Sequence, residues 1–310
     1  MPDSLTGTGR DAWVVVAGHP GVAGLVEAAR ALGGRVRVAA VGPPDLAALV
    51  ASAGVDAVSW FGDPAPTPVE SYAAAIADAV AHEPGIVFAG RRPAERVTAA
   101  RIAATLGAPI LTGVQAVTPD GGGLLIERSV LGGMALETAH FAGPVVLVQE
   151  GGGSPAASGA TAPVTIVDAA PRPGARIVET VPRQHVEVDL GSATRVVGVG
   201  RGLRRPEDLG MIAALAGAVG AELACTRPLA EGLEWLGRDS YIGISGQQIA
   251  PELYLAVGVS GQLQHMAGVR GAKTIVSVNT DPEAPIAAES DYVLVGDLYE
   301  IVPAITAALG

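Results

Sequence analysis

Residues 253–279 read LYLAVGVSGQLQHMAGVRGAKTIVSVN. An apolar run from Leu253 to Val259 leads into a turn at Ser260 and Gly261, a segment with helical spacing follows, and a second apolar run covers residues 274–278. Short, all-apolar strands that alternate with helices are typical of parallel sheets covered by helices. The stretch therefore predicts one α/β unit of a parallel sheet.

The same alternation fills the first 110 residues of the chain. Predicted strands and helices follow one another there as strand 13–17, helix 21–32, strand 36–41, helix 45–53, strand 57–60, helix 69–81, strand 86–89 and helix 94–106. Further strands are predicted at 110–117, 123–129 and 145–149, and in the second half at 195–199, 222–225, 241–244, 253–259, 274–278 and 292–295, with helices over 206–219 and 298–308. The fold class is α/β, with a mainly parallel sheet flanked by helices in each domain.

The length of 310 residues suits two domains. Residues 151–173 are rich in Gly, Ser, Pro and Ala, as a linker or a long ordered crossing is. An extended connection is expected from 176 to 190, where Val186, Val188 and Leu190 alternate with polar residues. We therefore expect an N-terminal α/β domain over 1–190, including a linker over about 151–190, and a C-terminal domain with a Rossmann-like fold over 191–310.

Composition excludes several classes of function. A net charge of −11 argues against a surface for nucleic acid or anionic membrane, and no uncharged run reaches the roughly 18 apolar residues of a membrane span. Cys225 is the only cysteine, so no internal disulfide forms and a reduced, cytoplasmic protein is expected. The acidic residues between 281 and 291 have no His or Cys among them, so no metal site is expected.

A glycine-rich turn follows the strand at 195–199. Its letters, GVGRG over 198–202, have the spacing G-x-G-x-G rather than the G-x-G-x-x-G of dinucleotide-binding turns. No acidic residue stands at the end of the next strand to bind a ribose. We interpret the segment as a tight turn between strand and helix.

Candidate ligand-binding residues lie where later strands end. Thr226 and Arg227 follow the strand 222–225, and two similar turns, 243–246 and 258–261, each present a Ser and a Gly. A hydroxyl beside unobstructed backbone N–H groups suits a phosphate. Arg227 could instead be a surface ion-pair partner, and His265 a helix-start residue bonded to backbone.

The second half of the chain resembles the α subunits of electron transfer flavoproteins. The resemblance is carried by residues 253–268, by 278–286, by 290–298 and by Gly200-Arg201-Gly202, and it spans 195–310. It is fainter over 103–113 and 132–133. The sequence of residues 241–245, YIGIS, is more similar to the FixB-like branch of the family than to the β-oxidation type.

The resemblance implies a heterodimer with a β subunit that holds one FAD. Such a protein relays electrons one at a time from a donor dehydrogenase to an acceptor and is a carrier, not an enzyme. The expected FAD-binding residues are Thr226, Arg227, Ser245, Gly246, Gln247, Gly258, Ser260, Gly261, Gln264, His265, Asn279, Thr280, Asp297 and Leu298.

Roles carry over to the matching positions. Arg227 is expected over the flavin ring and His265 near its O2, where both would stabilise anionic reduced forms; Ser245 would reach toward N5. Ser260 and Gln264 are expected at the pyrophosphate or ribityl region. The adenosine end is left to Asn279 and Asp297.

The sequence departs from the family at three places. Residues 244–247 read ISGQ where the family often has Gln-Thr-Gly-Lys, and we expect this difference to change the flavin potential. Thr226 stands where Ser is common. Thr280 stands where the family often has Lys, which removes a cation near the phosphates and predicts weaker FAD binding.

Two other functions stay open on sequence grounds. One is an NAD(P)-dependent oxidoreductase on a similar α/β fold, and the other is a domain whose FAD is purely structural. His19, which with Pro20 ends the first strand, has no assigned role.

Overall fold

The computed structural model describes residues 9–172, 174–181, 190, 191 and 193–309. The chain forms two compact units, Met1–Val181 and Pro182–Gly310. Each contains a parallel sheet flanked by helices, so the predicted fold class is confirmed. Val186 and Val188, predicted to be extended, lie outside the described residues, and the predicted boundary after residue 190 stays a prediction.

The first unit is built around one parallel sheet. Its elements are β1 (Arg10–Ala17), α1 (Ala23–Ala31), β2 (Gly33–Val41), α2 (Pro44–Ala51), β3 (Ala57–Trp60), α3 (Ala73–His82), β4 (Ile86–Ala89), α4 (Pro93–Leu106), β5 (Ile110–Thr112), β6 (Val114–Asp120), β7 (Gly123–Val130), β8 (Ala135–Phe141), β9 (Val146–Val148) and β10 (Val164–Ile166). Among the described residues the main sheet has the strand order β10-β3-β2-β1-β4-β9-β5.

The all-apolar strands of this sheet are buried on both faces. Successive side chains of a strand point to opposite faces. Accordingly Val14 of β1 packs in one apolar cluster with Leu25 of α1, whereas Val15 packs in the other with Ile102 of α4. Helices on both sides therefore explain why β1 carries no polar alternation.

The predicted strand 110–117 is wrong as a single element. Gly113, with φ of 72°, separates β5, which stays in the main sheet, from β6, which pairs antiparallel with β7. The sequence analysis also missed β8, the third strand of this small antiparallel sheet. Its residues ALETAHF are mostly exposed, so burial imposes no strong apolar pattern on them.

The Gly- and Pro-rich segment after β9 is an ordered crossing over its described part. The backbone N–H groups of Ala23 and Gly24 at the start of α1 donate to the carbonyls of Gly153 and Gly151, at 3.1 and 2.8 Å. The chain then crosses to the far edge of the sheet, where β10 pairs parallel with β3. The start of α1 is thus capped by the chain itself.

The second unit repeats the architecture on a smaller scale. Its elements are β11 (Arg195–Val199), α5 (Leu209–Val219), β12 (Glu222–Cys225), β13 (Leu253–Val257), α6 (Leu263–Val269), β14 (Ile275–Asn279), α7 (Pro285–Ala288), β15 (Tyr292–Val295) and α8 (Leu298–Leu309). The described strands are parallel, in the order β12-β11-β13-β14-β15. No helix within the described ranges is long and apolar enough to cross a membrane.

The predicted strand 241–244 is wrong. Tyr241 and Ile242 make only isolated bridges, to Cys225 and Gln247, and the segment is a loop that folds back on itself. Two glycines form the tight turn of this loop. Gly243 has φ of 156°, and a Cβ added to Gly246 would lie 2.4 Å from the carbonyl oxygen of Tyr241.

Glu95 is a fully buried acid at the start of α4. Its Oε2 accepts a hydrogen bond from the Arg92 backbone N–H at 3.1 Å, while Oε1 has no partner among the described atoms. Burial outweighs the attraction of Arg92 and raises the pKa of Glu95 from 4.5 to about 7. Between these two pH values the folded state binds more protons than the unfolded state.

We expect Glu95→Gln to remove a loss of stability that wild type suffers as pH rises from 4.5 to 7. The two proteins should be similar near pH 4.5, and the variant should be more stable by roughly 2–3 kcal/mol at pH 8. Urea unfolding across this range measures the difference. Glu27→Gln, at an exposed position of α1, is the control and should leave the pH slope unchanged; a Glu95→Gln slope equal to wild type would contradict the assignment.

Candidate functional site

The carboxyl ends of the five described strands of the second unit border one cavity of about 580 Å³. The lining segments are 200–204 after β11, 226–228 after β12, 258–265 after β13, 278–280 at the end of β14, 296–298 after β15, and 241–245 in the loop before β13. Open α/β sheets bind ligands in a crevice at this edge. The cavity is therefore the candidate site.

The floor of the cavity depends on three glycines in contact. A Cβ on Gly200 would lie 2.3 Å from the carbonyl oxygen of Gly258, and one on Gly202 would lie 2.6 Å from the Cα of Gly258. The Gly202 N–H donates to that same carbonyl at 3.0 Å. The turns after β11 and β13 thus touch backbone to backbone, as the tight-turn interpretation of GVGRG requires.

Most of the residues expected to bind FAD come together here. Those lining the cavity are Thr226, Arg227, Ser245, Gly258, Ser260, Gly261, Gln264, His265, Asn279, Thr280, Asp297 and Leu298. Gly246 and Gln247 do not line it. The Gln247 side chain instead donates to the backbone carbonyl of Asp239, and Gly246 packs against the ring of Tyr241.

The sequence analysis missed two cations of the site. Arg201 and Arg204 line the cavity together with Arg227, whereas Asp297 is the one carboxylate among the described residues of the lining. Arg204 Nη2 lies 3.2 Å from Asp297 Oδ2, and its guanidinium stacks 4.7 Å from the ring centre of Tyr299. The signal was present in the sequence GRGLR directly after β11, but the sequence analysis interpreted it as a tight turn and a family motif and gave its two arginines no role in binding.

Arg227 combines a place in the cavity lining with an ion pair at the surface. It lines the cavity, and its Nε also donates to Glu231 Oε2 at 2.6 Å. Arg238 donates to the other oxygen of the same carboxylate. The hydrogen bond from Arg238, and to a smaller extent that from Arg227, holds the pKa of Glu231 below its ordinary value. Glu231 therefore remains a carboxylate that orients Arg227.

His265 was expected to supply positive charge, but its surroundings favour the neutral imidazole. Its Nε2 lies 2.7 Å from the Tyr254 hydroxyl, and its Nδ1 lies 3.2 Å from the Ile242 carbonyl oxygen. Burial lowers the pKa of His265 to about 4, so the imidazole is neutral at pH 7. Of the two groups expected to provide charge beside a flavin, the structure leaves only Arg227 charged.

Asn279 and Asp297 are partly engaged with their own loops. Asn279 Nδ2 donates to the Val259 carbonyl at 2.8 Å, which ties the end of β14 to the turn after β13. Asp297 Oδ1 accepts the Tyr299 backbone N–H at 2.9 Å. Both side chains thus fix the loops that form the far end of the cavity.

Comparison with known proteins places this geometry in a family. The family described as "Electron transfer flavoprotein FAD-binding domain" matches residues 189–270, and "Electron transfer flavoprotein domain" matches residues 14–172. Protein FixB of Salmonella typhimurium strain LT2 is 36% identical over 294 residues, which cover 92% of this chain and 93% of that protein. The chain belongs to the electron transfer flavoprotein α-subunit family.

A second relative supports the FixB-like branch. Protein FixB of Escherichia coli O81 strain ED1a is 34% identical over 292 residues, covering 92% of this chain and 93% of its own length. The resemblance inferred from the sequence is confirmed. Electron transfer flavoproteins and FixB proteins are electron carriers and do not convert substrates, as was predicted for this chain.

Other groups singled out in this electron transfer flavoprotein α subunit have structural surroundings. Burial raises the pKa of the Cys225 thiol, at the end of β12, to about 12. His19 Nδ1 accepts the Gly21 backbone N–H at 2.9 Å. In the described part of the chain, no three His, Cys, Asp or Glu residues are grouped to hold a metal ion.

We expect Gly261→Ala to destabilise the protein by roughly 1–3 kcal/mol, since φ at this residue is 77°. The new Cβ would also lie 2.4 Å from the backbone nitrogen of Ile286, which gives it no room. Thermal unfolding measures the loss. Gly210→Ala is the matched control, because a Cβ there, in the first turn of α5, meets nothing within 4 Å; equal melting temperatures for both variants would disprove the close contact.

Proposed function

We propose that the second unit binds FAD and that the chain, as the α subunit of a heterodimer, relays electrons one at a time from a donor dehydrogenase to an acceptor. The observation that carries the proposal is the cavity, where the ends of all five strands converge on three arginines and one carboxylate. It lies in the segment that the FAD-binding family covers. A net charge of −11 for the whole chain makes this local excess of cations distinctive.

The lining residues fit the parts of FAD. Arg201 and Arg204 would hold the pyrophosphate, since guanidinium groups bind phosphate oxygens through paired N–H donors. The hydroxyl of Ser260 and the free backbone of Gly261 would add donors. Thr280 supplies no cation, but Arg201 and Arg204 would remain near the phosphates, which would offset the weaker binding expected from the sequence.

The ring system would meet the other half of the cavity. Arg227 lines it beside Thr226, Ser245 and the apolar side chain of Ile244. Bound FAD supplies reversible electron uptake, and the reduced ring carries negative charge. The guanidinium of Arg227, held by Glu231, would stabilise that charge, while neutral His265 would form the wall at the same end.

Exposed apolar surface supports a β subunit as the partner. Edge strand β15 exposes the four consecutive residues 292–295, and Tyr292 and Val295 are 65% and 55% exposed. An open, apolar sheet edge invites pairing or aggregation unless something covers it. In the first unit, Leu131, Met134 and Leu136 beside the antiparallel sheet are exposed as well.

The two rival functions predict different behaviour of the purified protein. An NAD(P)-dependent oxidoreductase would bind NAD(P)H and pass a hydride to a substrate. A domain with structural FAD would hold the flavin but resist its reduction by physiological donors. An electron carrier reduces and reoxidises without any substrate of its own.

Absorbance and redox titration of the chain co-expressed with its β subunit distinguish these functions. We expect one FAD per heterodimer by absorbance, and two resolved one-electron steps in an anaerobic titration with dithionite. NAD(P)H binding without flavin would favour the oxidoreductase. Full FAD occupancy with no exchange of electrons with any added dehydrogenase or acceptor would favour the structural role.

Arg227→Ala should lower the midpoint potential of the bound FAD by tens of millivolts. The guanidinium attracts the negative charge of the reduced ring, and because this side chain is 65% exposed, solvent screens part of that attraction. Arg227→Lys should shift the potential less, because the charge is kept while the planar fork of donors is lost. Spectroelectrochemical titration measures both.

Arg238→Ala is the matched control for Arg227. Arg238 binds the same carboxylate of Glu231, but it does not line the cavity. We expect its potential to stay near that of wild type. If both alanine variants shift the potential equally, or if neither does, Arg227 is a surface ion-pair residue and has no direct effect on the flavin.

A further inference from the structure

A buried pair of side chains forms the wall of the cavity behind its charged residues. Tyr254 stands on β13, in the middle of the sheet, and is completely buried; its hydroxyl oxygen lies 2.7 Å from Nε2 of His265. His265, in the first turn of α6, is 7% exposed and lines the cavity. One link therefore joins the central strand to the site.

The partners of the two ring nitrogens fix which of them carries the proton. Nδ1 faces the backbone carbonyl oxygen of Ile242 at 3.2 Å, and a carbonyl can only accept. Nδ1 must then carry the hydrogen, which leaves Nε2 of the neutral ring as an acceptor. The Tyr254 hydroxyl is the donor to Nε2.

The position of the hydroxyl is set by a missing side chain on the neighbouring strand. A Cβ on Gly198 of β11 would lie 2.1 Å from the Tyr254 hydroxyl oxygen. Gly198 thus makes the space that the hydroxyl occupies, while the rings of Tyr254 and His265 lie 6.0 Å apart between their centres. Burial raises the pKa of Tyr254, so the hydroxyl keeps its proton and stays a donor.

We propose that Tyr254 is a positioning residue for the flavin cavity: its hydroxyl holds Nε2 of His265 and fixes the orientation of the imidazole ring at the cavity wall, while the Ile242 carbonyl oxygen keeps the proton on Nδ1. The inference rests on the proposed function, because it gives the wall a role only if a flavin binds there. It assigns the permanent positive charge at this end of the cavity to Arg227 and makes His265 a neutral, oriented group.

The test compares Tyr254→Phe with Ser277→Ala in the full-length chain. Tyr254→Phe keeps the ring and deletes the hydroxyl. Ser277→Ala also deletes a buried hydroxyl, on the adjacent strand β14, but that oxygen has no partner among the described atoms and does not line the cavity. A general effect of core disturbance would appear in both variants.

The first measurement is ¹⁵N NMR of the histidines in FAD-free protein. The chain has five histidines, and a His265→Asn variant assigns the signal. We expect wild type and Ser277→Ala to show His265 protonated on Nδ1 only. In Tyr254→Phe, His265 should stay protonated on Nδ1, because the Ile242 carbonyl remains, but its Nε2 signal should shift, because Nε2 has lost its donor.

The second measurement is made on the heterodimer with added FAD. Tyr254→Phe should bind FAD roughly two- to tenfold more weakly, the effect of losing one net hydrogen bond that orders the wall. Ser277→Ala should leave the FAD affinity unchanged.

The outcomes distinguish a failure of this inference from a failure of the proposed function. A wild-type His265 protonated on Nε2 overturns the inference even if Tyr254→Phe does not fold. FAD affinity and an Nε2 signal both equal to those of wild type in a folded Tyr254→Phe protein also overturn it, while the proposed function stands. Wild type that binds no FAD overturns the proposed function, and with it the role of the wall, although the NMR result still reports the tautomer.

Discussion

The site of this protein depends on one close contact between two turns. Gly200 and Gly202 after β11 meet Gly258 after β13 at distances that leave no space for a Cβ. Because the backbones meet, the side chains that follow them, among them Arg201 and Ser260, are carried to the rim of the same crevice. A residue with a side chain at any of the three positions would push the turns apart and separate the two walls.

The two units share an architecture but treat the same sheet edge differently. In the first, the backbone carbonyls of Gly151 and Gly153 take the N–H groups at the start of α1, so the chain satisfies its own donors. In the second, the ends of five strands leave a cavity whose cations outnumber its one carboxylate, Asp297. The difference lies in the loops, since both sheets are parallel and covered by helices.

The sequence predicts the parallel sheets well, because burial on both faces demands unbroken apolar runs such as Val14–Val16 and Leu253–Val257. The prediction fails where a strand is exposed or where a single glycine interrupts an apolar run. The exposed strand β8 has no clear period, and a single left-handed glycine, Gly113, splits an otherwise continuous run.

Much of the site was also predictable, but its polar partnerships were not. Residues at strand ends were found because that edge of a parallel sheet is where ligands bind. Which partner each side chain has depends on residues distant in sequence: His265 meets the buried hydroxyl of Tyr254, and Asp297 meets Arg204, 93 residues away. Periodicity carries no information on such pairs.

The burial of Cys225 has a practical consequence for the study of electron transfer in this chain. Its side chain has no exposed surface, and burial raises the pKa of the thiol to about 12, so the reactive thiolate is suppressed. Since the chain has no other cysteine, it behaves as a thiol-free background. Spectroscopic labels can be attached at single engineered cysteines on either unit, and distances between the units measured, without first replacing a native residue.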